Sequence, residues 1–585
     1  MAPTTSSAEQ LSAARRPRVA MLRRDEAGAA TQTALVDAVE ATTVRWQLDP
    51  EWPQRLGLVE ADFGRWLANQ SAQPVKVGTH RQVFRVDSGR QQLYVKRYRS
   101  RRGLARLAML ARGTPARREW RKAIELARRG IATAAAVAVG ESYRGGIPGD
   151  SLLVTRGIEA SRPLDDFLKT DLPDWPAAQQ LGARRYLTIE LARVLAGCHR
   201  AGVRHDDLHA GNILVAIDRL AAAAAPTYHV SSDSPPPLLY LIDLPEVRFG
   251  RPLRRRASLA SVVMLAAGLW SQATPRERWR FWRTYLANRP ELAVEDRGNL
   301  AGRRAARRQV AQQLVADVLR YQRALYRSRD RRSLAENRDF KRIAGRGITW
   351  HALRGVAPHE LAATSELEER LVLGNRWRWF PWREHPARRL WRLAQGLLAR
   401  GIGIQGPVAA LVPSRFSGRR EGALFFPKES APTPLAELLA AAAVDPSLLD
   451  ARDRRELARA CGELLGSLHR WQVITPRLSL ASFAVRRASV GPQLVLADWT
   501  TARVPKLTSR RAAEPSAARD LAALQAELTS QMASSRSPVS RSELARALQA
   551  YVVARWQSPG AWRDLWRKLA AEQRVNLNEC RNAAG

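Results

Sequence analysis

The sequence predicts an α+β chain made of two copies of one domain, each a small β-rich lobe followed by a larger helical lobe. Three observations predict it. Residues 75–98, VKVGTHRQVFRVDSGRQQLYVKRY, alternate apolar and polar side chains and turn at Asp87-Ser88-Gly89, as paired half-buried strands do. The text after them takes a helical period, beginning with TPARREWRKAIELARRGI at 114–131. Finally, the chain repeats itself: residues 114–131 recur without a gap as HPARRLWRLAQGLLARGI at 385–402, and CHRAGVRHDDLHAGNILV at 198–215 recurs as LHRWQVITPRLSLASFAV at 468–485. The two offsets, 271 and 270, place the start of the second copy near residue 342.

A chain of 585 residues also exceeds what one hydrophobic core supports. The expected division is a disordered leader over 1–45, rich in Ala, Thr, Ser and Arg, a first domain over 46–340 and a second over 341–585. Lys and Arg total 95 against 55 acidic residues, a formal charge of +40, and only eight of the 95 are Lys. Such a surface favours anionic partners: nucleic acid, phospholipid headgroups or phosphorylated glycolipid. The arginines are spread along the whole chain, and no basic motif interleaved with aromatics points to nucleic acid. Cys198, Cys461 and Cys580 are far apart and form no CxxC pair, which argues against a disulfide framework or zinc site and fits a reducing cytoplasm. No apolar core of a signal peptide is present, and the longest apolar run, LASVVMLAAGLW at 259–270, is too short to span a bilayer. A cytoplasmic protein, soluble or peripheral on a membrane, is expected.

The chemistry is concentrated in residues 198–215. His205, Asp207 two positions later and Asn212 five positions after that, followed by an apolar strand, have the spacing of a kinase catalytic loop. The apolar run LLYLID supplies Asp243. In that arrangement Asp207 accepts the proton of an attacking hydroxyl, while Asn212 and Asp243 hold the Mg2+ that bridges ATP phosphates. Asp206 stands where many protein kinases carry an Arg that binds an activation-loop phosphate, so no switch of that kind is expected. The stretch after Asp243, LPEVRFGRPLRRRASLA, is short, which favours a small-molecule or glycolipid acceptor over a protein.

The remaining elements fall in kinase order around this loop. Lys96, in YVKRY, would reach the α- and β-phosphates, under a covering loop at Gly78. The helix beginning near Pro115 and ending at Gly130 offers Glu119 as the partner of Lys96, with Glu125 as the fallback. Between Lys96 and this helix, RYRSRRGLARLAMLAR could rest on an anionic membrane through Leu104, Leu107, Met109 and Leu110, although an ordinary surface helix explains it better. The strand SLLVT at 151–155 leads into the segment expected to contact adenine. The low-complexity stretch between Val215 and Leu238 reads as a disordered loop between two strands.

Together, YVKRYR, PARREW with a helix ending RRGIATA, HDDLHAGNIL and LIDLPEVR resemble the lipopolysaccharide core kinases, the Kdo/WaaP family of the protein-kinase-like fold. The resemblance covers roughly residues 46–340. It implies ATP- and Mg2+-dependent phosphorylation of a sugar hydroxyl in the lipopolysaccharide core at the cytoplasmic face of the inner membrane. The second copy keeps the apolar pattern and loses the polar one. The offsets place Leu390 for Glu119, Thr475 for His205, Arg477 for Asp207 and Ser482 for Asn212, and only Asp498, for Asp243, survives. An Arg in place of the base inverts the charge where a proton must be accepted, so 341–585 reads as a pseudokinase. The alternatives are a kinase of a small molecule or protein, and a non-catalytic nucleotide-binding scaffold.

Overall fold

The computed structural model describes residues 44–556 outside the segments 57–61, 101–108, 225–236, 293–299, 357–366, 375–383, 415–420, 428–431, 505–519 and 528–538, and outside positions 79, 90, 271, 338, 346, 477, 489–490 and 525. Packing divides the chain into two compact units that meet in sequence between Tyr321 and Gln322. The leader expected over 1–45 lies outside the described residues except at its end, where Val44 and Arg45 already belong to a strand.

In the first unit, β1 (Val44–Leu48), α1 (Trp52–Leu56), α2 (Phe63–Ala68), β2 (Ser71–Val77), β3 (Arg81–Asp87) and β4 (Gln92–Tyr98) precede α3 (Pro115–Arg128), which β5 (Ala136–Arg144) and β6 (Ile147–Arg156) follow. The six strands form one antiparallel sheet in the order β1-β5-β6-β4-β3-β2. Residues 75–98 thus fold as the paired strands that their alternation predicts, with a first strand that begins earlier, at Ser71. The strand β1, which the sequence reading did not anticipate, closes the far edge against β5. The period of two sorts β4 between two cores. Leu93 and Val95 pack with Phe84 and Val154 under Phe63 of α2, while Tyr98 joins the core shared with the helices. Lys96 stands on the face of Tyr98, toward the helical lobe.

The helix α3 starts where the sequence says it should. Thr114 caps it by accepting from the Arg117 amide at 3.2 Å, Pro115 fills the first turn, and Gly130 just beyond the end has φ +69°. The helical lobe follows: β7 (Ser161–Pro163), α4 (Ala177–Arg200), β8 (Val203–His205), β9 (Ile213–Ala216), α5 (Ile217–Ala224), β10 (Leu239–Leu241), β11 (Val247–Phe249), α6 (Arg255–Leu269), α7 (Pro275–Ala287) and the first part of α8 (Leu300–Arg332). The structure corrects the loop expected between Val215 and Leu238. Residues Ile217–Ala224 within it are α5, whose Leu220 is buried in the core. An alanine run has the highest helix propensity, and one apolar anchor sufficed to dock it. Gly202, between α4 and β8, admits no other residue: its φ is +68°, and a Cβ there would come within 2.0 Å of the Gly250 carbonyl oxygen.

The second unit has its own sheet and core. The strands β12 (Phe340–Gly345), β13 (Ile348–Leu353) and β14 (Leu367–Gly374) precede α9 (Pro386–Ala399), and β15 (Ala409–Pro413) and β16 (Glu421–Pro427) follow it. They form a sheet in the order β12-β13-β15-β16-β14. Next come β17 (Thr433–Pro434), α10 (Leu435–Val444), α11 (Ala451–Trp471), β18 (Phe483–Ala488), β19 (Gly491–Leu496) and α12 (Arg541–Trp556). Trp391, Leu397, Leu424, Leu468 and Leu496 lie in one core. The helices α11 and α12 touch backbone to backbone, because a Cβ on Gly462 would lie 1.9 Å from the Ala547 carbonyl oxygen. At the end of α8, Asp330 accepts both terminal nitrogens of the buried Arg400, at 2.6 and 2.8 Å. Among the described residues no helix is long and apolar enough to cross a membrane.

The first unit carries a buried imidazole that makes its stability sensitive to acid. His199 Nδ1 lies 2.8 Å from the Tyr285 hydroxyl, and burial, reinforced by the charge of Arg289, lowers its pKa to about 3. In the unfolded chain the same group titrates near pH 6.5, so between pH 6.5 and about 3 the unfolded state binds one proton more. Stability therefore falls as pH falls through that window, by about 1.4 kcal/mol per unit for this group. Urea unfolding at pH 6.5 and 5 should give a pH slope in His199→Gln that is smaller than the parent's by about one proton. Equal slopes would exclude His199 as the source.

Candidate functional site

The period of two in β4 carries Lys96 and Tyr98 to one face of the sheet, and α3 lays Glu119 against both. Glu119 is 1% exposed; its Oε1 takes the ammonium of Lys96, and its Oε2 accepts the hydroxyl proton of Tyr98. Burial first, and then the neighbouring Glu119 charge, raises the Tyr98 phenol pKa far above its ordinary value, so it remains a donor. Glu125 is not the partner. It lies on another side of α3 and pairs with Arg129 at 2.8 Å, an ordinary i,i+4 contact. Two further contacts from α3 reach the helical lobe, Lys122 Nζ to the Pro245 carbonyl at 2.6 Å and Arg129 Nη1 to the Ala201 carbonyl at 2.5 Å.

His205, Asp207 and Asn212 share the loop between β8 and β9. The buried His205 accepts the Asp207 amide on Nδ1 at 3.2 Å and meets the Ile242 carbonyl with Nε2 at 3.2 Å, which assigns the proton to Nε2. Burial lowers its pKa, so it is a neutral strut of the loop. Asp207 faces outward with its side chain 62% exposed, and His209 Nε2 is 3.8 Å from its carboxylate. Asn212 is buried and spends its amide nitrogen on the Asp207 carbonyl at 2.8 Å, which leaves its oxygen as the group a ligand can use.

Asp243 comes alongside because the Ile242 amide donates to the Asn212 carbonyl at 2.9 Å. Its backbone is left-handed, φ +62° and ψ +55°, a conformation tolerated by few residues other than Gly and Asn or Asp. Arg81, at the start of β3, donates from Nη1 to Asp243 Oδ1 at 2.7 Å. Burial alone would raise the Asp243 carboxyl pKa, yet the charge and hydrogen bond of Arg81 hold it below the ordinary Asp range, and Lys96 and Lys76 act in the same sense. Gly78 lies in the loop that precedes Arg81, and its amide donates to the Arg81 carbonyl at 3.0 Å. Asp206 lies beside the loop, with Arg204 Nε at 2.7 Å and Arg248 Nε at 2.6 Å. Its amide donates to the Glu246 carbonyl at 2.9 Å. Two arginines thus meet one fixed carboxylate, the reverse of an arginine awaiting a phosphate.

The structure therefore gathers all six residues singled out in the sequence in the first unit. Lys96 and Glu119 touch, Asp207 and Asn212 share a loop, Asp243 is bonded to that loop through its neighbour, and Gly78 is tied to Asp243 through Arg81. Sequence reasoning missed Tyr98 and Arg81. Tyr98 was accessible, since it stands two positions from Lys96 on a strand and must share its face. Arg81 was not, because its partner is 162 positions away.

Residues 64–227 match the family model described as the lipopolysaccharide kinase (Kdo/WaaP) family. Through these residues the chain is similar to that family. A curated relative, the lipopolysaccharide core heptose(I) kinase WaaP of Pseudomonas aeruginosa, is 32% identical over 193 residues, 32% of this chain and 65% of that protein. The chain thus spans just under two thirds of that relative's length. Among solved structures, one described as WaaP in complex with acyl carrier protein is 23% identical, with a TM-score of 0.31, and the match covers 46% of this chain and 99% of that one. A MAP kinase of Leishmania major is 14% identical with a TM-score of 0.25, over 44% of this chain and 67% of that one. The Kdo/WaaP match takes in β2 to β4, α3 and the Asp207 loop, and stops before Asp243.

The Lys96, Glu119 and Tyr98 cluster also carries stability. Glu119→Ala leaves a nearly buried ammonium without its partner and should cost about 3 kcal/mol or more in urea unfolding. Tyr98→Phe, which removes one hydrogen bond and keeps the ring, should cost about 1 kcal/mol. A Glu119→Ala cost below that of Tyr98→Phe would show that the ion pair is not held in the folded protein.

Proposed function

We propose that residues 46–340 catalyse ATP-dependent phosphorylation of a sugar hydroxyl of lipopolysaccharide core or a related glycolipid. We propose further that residues 341–585 are a kinase-like copy without chemistry. The observation that carries the first reading is the joint placement of the Lys96–Glu119 pair, an outward-facing Asp207, and Asn212 beside Asp243. These are the parts phosphoryl transfer needs, in kinase order. In this reading Asp207 takes the proton of the sugar hydroxyl as its oxygen bonds to the γ-phosphorus, while the bond from that phosphorus to the β–γ bridging oxygen breaks. Lys96, aimed by Glu119, neutralises the α- and β-phosphates, and the backbone around Gly78 covers them.

The donor set fits Mg2+: Asp243 and Asn212 would hold it, and it would offset the charge that develops as the phosphoryl group moves. Among the described residues no group of three His, Cys, Asp or Glu side chains could form an all-protein cage. One carboxylate and one amide oxygen are instead what Mg2+ takes when phosphates complete its shell. Asp243 already attracts a cation, Arg81.

Several pairs of matching contacts support the second copy. Leu241 donates to Ala132 at 2.9 Å in the first unit, and Leu496 donates to Gly403 at 2.8 Å in the second. His199 Nδ1 meets Tyr285 at 2.8 Å, and His469 Nδ1 meets Tyr551 at 2.9 Å. Lys96 is opposite Leu153 in its sheet; opposite Leu424, which stands 271 positions after Leu153, is Leu371. Leu371 and the buried Leu390 thus stand for Lys96 and Glu119. Asp498 keeps an unstrained φ of −91° and accepts from the Thr501 hydroxyl at 3.1 Å. Arg477, which the offset places for Asp207, lies outside the described residues.

The acceptor and location belong to the same proposal: a cytoplasmic enzyme, peripheral on the inner membrane and drawn to anionic headgroups by its +40 charge. Of the basic segment offered for that contact, Leu104 and Leu107 lie outside the described residues, Met109 is buried and Leu110 is 56% exposed. The test is mass spectrometry of cellular glycolipid from cells that carry the parent chain or Asp207→Asn. Asp207→Asn should lose one phosphate from the glycolipid and lower transfer by at least about a hundredfold, with unchanged thermal unfolding, whereas Asp498→Asn should leave transfer unchanged. A fully phosphorylated glycolipid with Asp207→Asn would refute the assignment.

A further inference from the structure

Arg81 has no place in the kinase constellation read from the sequence, yet it is the side chain bonded to the carboxylate that this constellation assigns to Mg2+. The pair is 2.7 Å apart and shielded from water by roughly two thirds, with side chains 28% and 34% exposed. The guanidinium carbon sits 5.8 Å from the centre of the Tyr98 ring, and Arg81 Nε is buried with no hydrogen-bond partner among the described residues. It is therefore held mainly by its charge on Asp243, at the end of a chain of contacts that runs through Tyr98 to Glu119 and Lys96. Its backbone carbonyl accepts from the Gly78 amide at 3.0 Å.

Among the described residues the cation paired with this carboxylate is Arg81. Bare, the carboxylate would repel the phosphates of an incoming nucleotide, since like charges brought close at a protein surface repel. One cation therefore has to stand there at each stage of the cycle. We infer that Arg81 is a displaceable counter-ion for Asp243: it holds the carboxylate until a divalent cation arrives with the nucleotide, yields to it, and recaptures Asp243 when the cation leaves. Arg81 is thus a positioning residue that sets how strongly nucleotide binding depends on the metal.

This inference rests on the reading of Asp243 as a metal ligand, and the experiment separates the two. Binding of the β,γ-imido analogue of ATP to the full-length chain is measured by calorimetry without metal and across a Mg2+ titration, with thermal unfolding as the check of folding. In Arg81→Gln the competitor is gone, so the Mg2+ midpoint should fall by about three- to tenfold. Metal-free analogue should bind more weakly by a similar factor, because Asp243 is left bare. Arg81→Lys should stay near the parent on both counts. In Asp243→Asn, Mg2+ should no longer strengthen binding. An unchanged midpoint in a folded Arg81→Gln, with Asp243→Asn insensitive to Mg2+, would overturn the counter-ion role alone. Asp243→Asn with full Mg2+ dependence would overturn the assignment of Asp243 and the role of Arg81 with it.

Discussion

A carboxylate that is 1% exposed constrains everything around it. Glu119 loses its water on folding, and the uncompensated loss is several kcal/mol for a single ion. Only a cation and a hydrogen-bond donor brought to its two oxygens can offset that, and Lys96 and Tyr98 supply them from one face of β4. The requirement fixes where α3 lies on the sheet. Lys122 and Arg129 then carry that position from α3 to backbone carbonyls at both ends of the segment that holds the Asp207 loop and Asp243. One buried charge thus registers the strand lobe against the helical lobe.

The proposed second copy meets the same constraint by removing it. Leu390 stands for Glu119 and is 3% exposed in a core with Trp391 and Leu424. Replacing a buried ion pair by apolar side chains of similar size is often neutral or stabilising, so the fold did not need the pair once the chemistry was gone. The contacts that recur between the two units use no full charge. A backbone bond to a strand end and an imidazole on a tyrosine hydroxyl position the elements whether or not anything reacts. Asp243 keeps its strained φ of +62° under the charge of Arg81, whereas Asp498 relaxes to −91° and turns to a neighbouring hydroxyl. Strain of this kind persists where surrounding structure enforces it, and it clusters at working sites.

The sequence made legible what depends on local order. Pro115 and Gly130 bound a helix whatever it packs on, alternation specifies strands, and the His205, Asp207 and Asn212 spacing is set within one loop. What depends on partners far along the chain was hidden. The strand β1, VRWQL, alternates but is only five residues long, and its place is decided by pairing with β5 some ninety residues on. The helix α5 was masked by low complexity, although its alanines favoured helix and Leu220 gave it an anchor. Arg81 reads as one arginine among many until β3 is set opposite β4, which brings it over Tyr98 and within reach of Asp243.

The arginine excess takes on a more local meaning in this light. A charge of +40 spread along the chain says little about any one partner. Within the site, however, three carboxylates have a cation assigned to them: Lys96 to Glu119, Arg81 to Asp243, and Arg204 with Arg248 to Asp206. Asp207 is held otherwise: its side chain is 62% exposed, with His209 Nε2 3.8 Å from the carboxylate. A carboxylate already paired with a guanidinium is a poor proton acceptor, because the pairing favours its ionised form. Asp207 is instead the carboxylate open to an incoming hydroxyl, and it is the residue to which the proposed chemistry gives the proton.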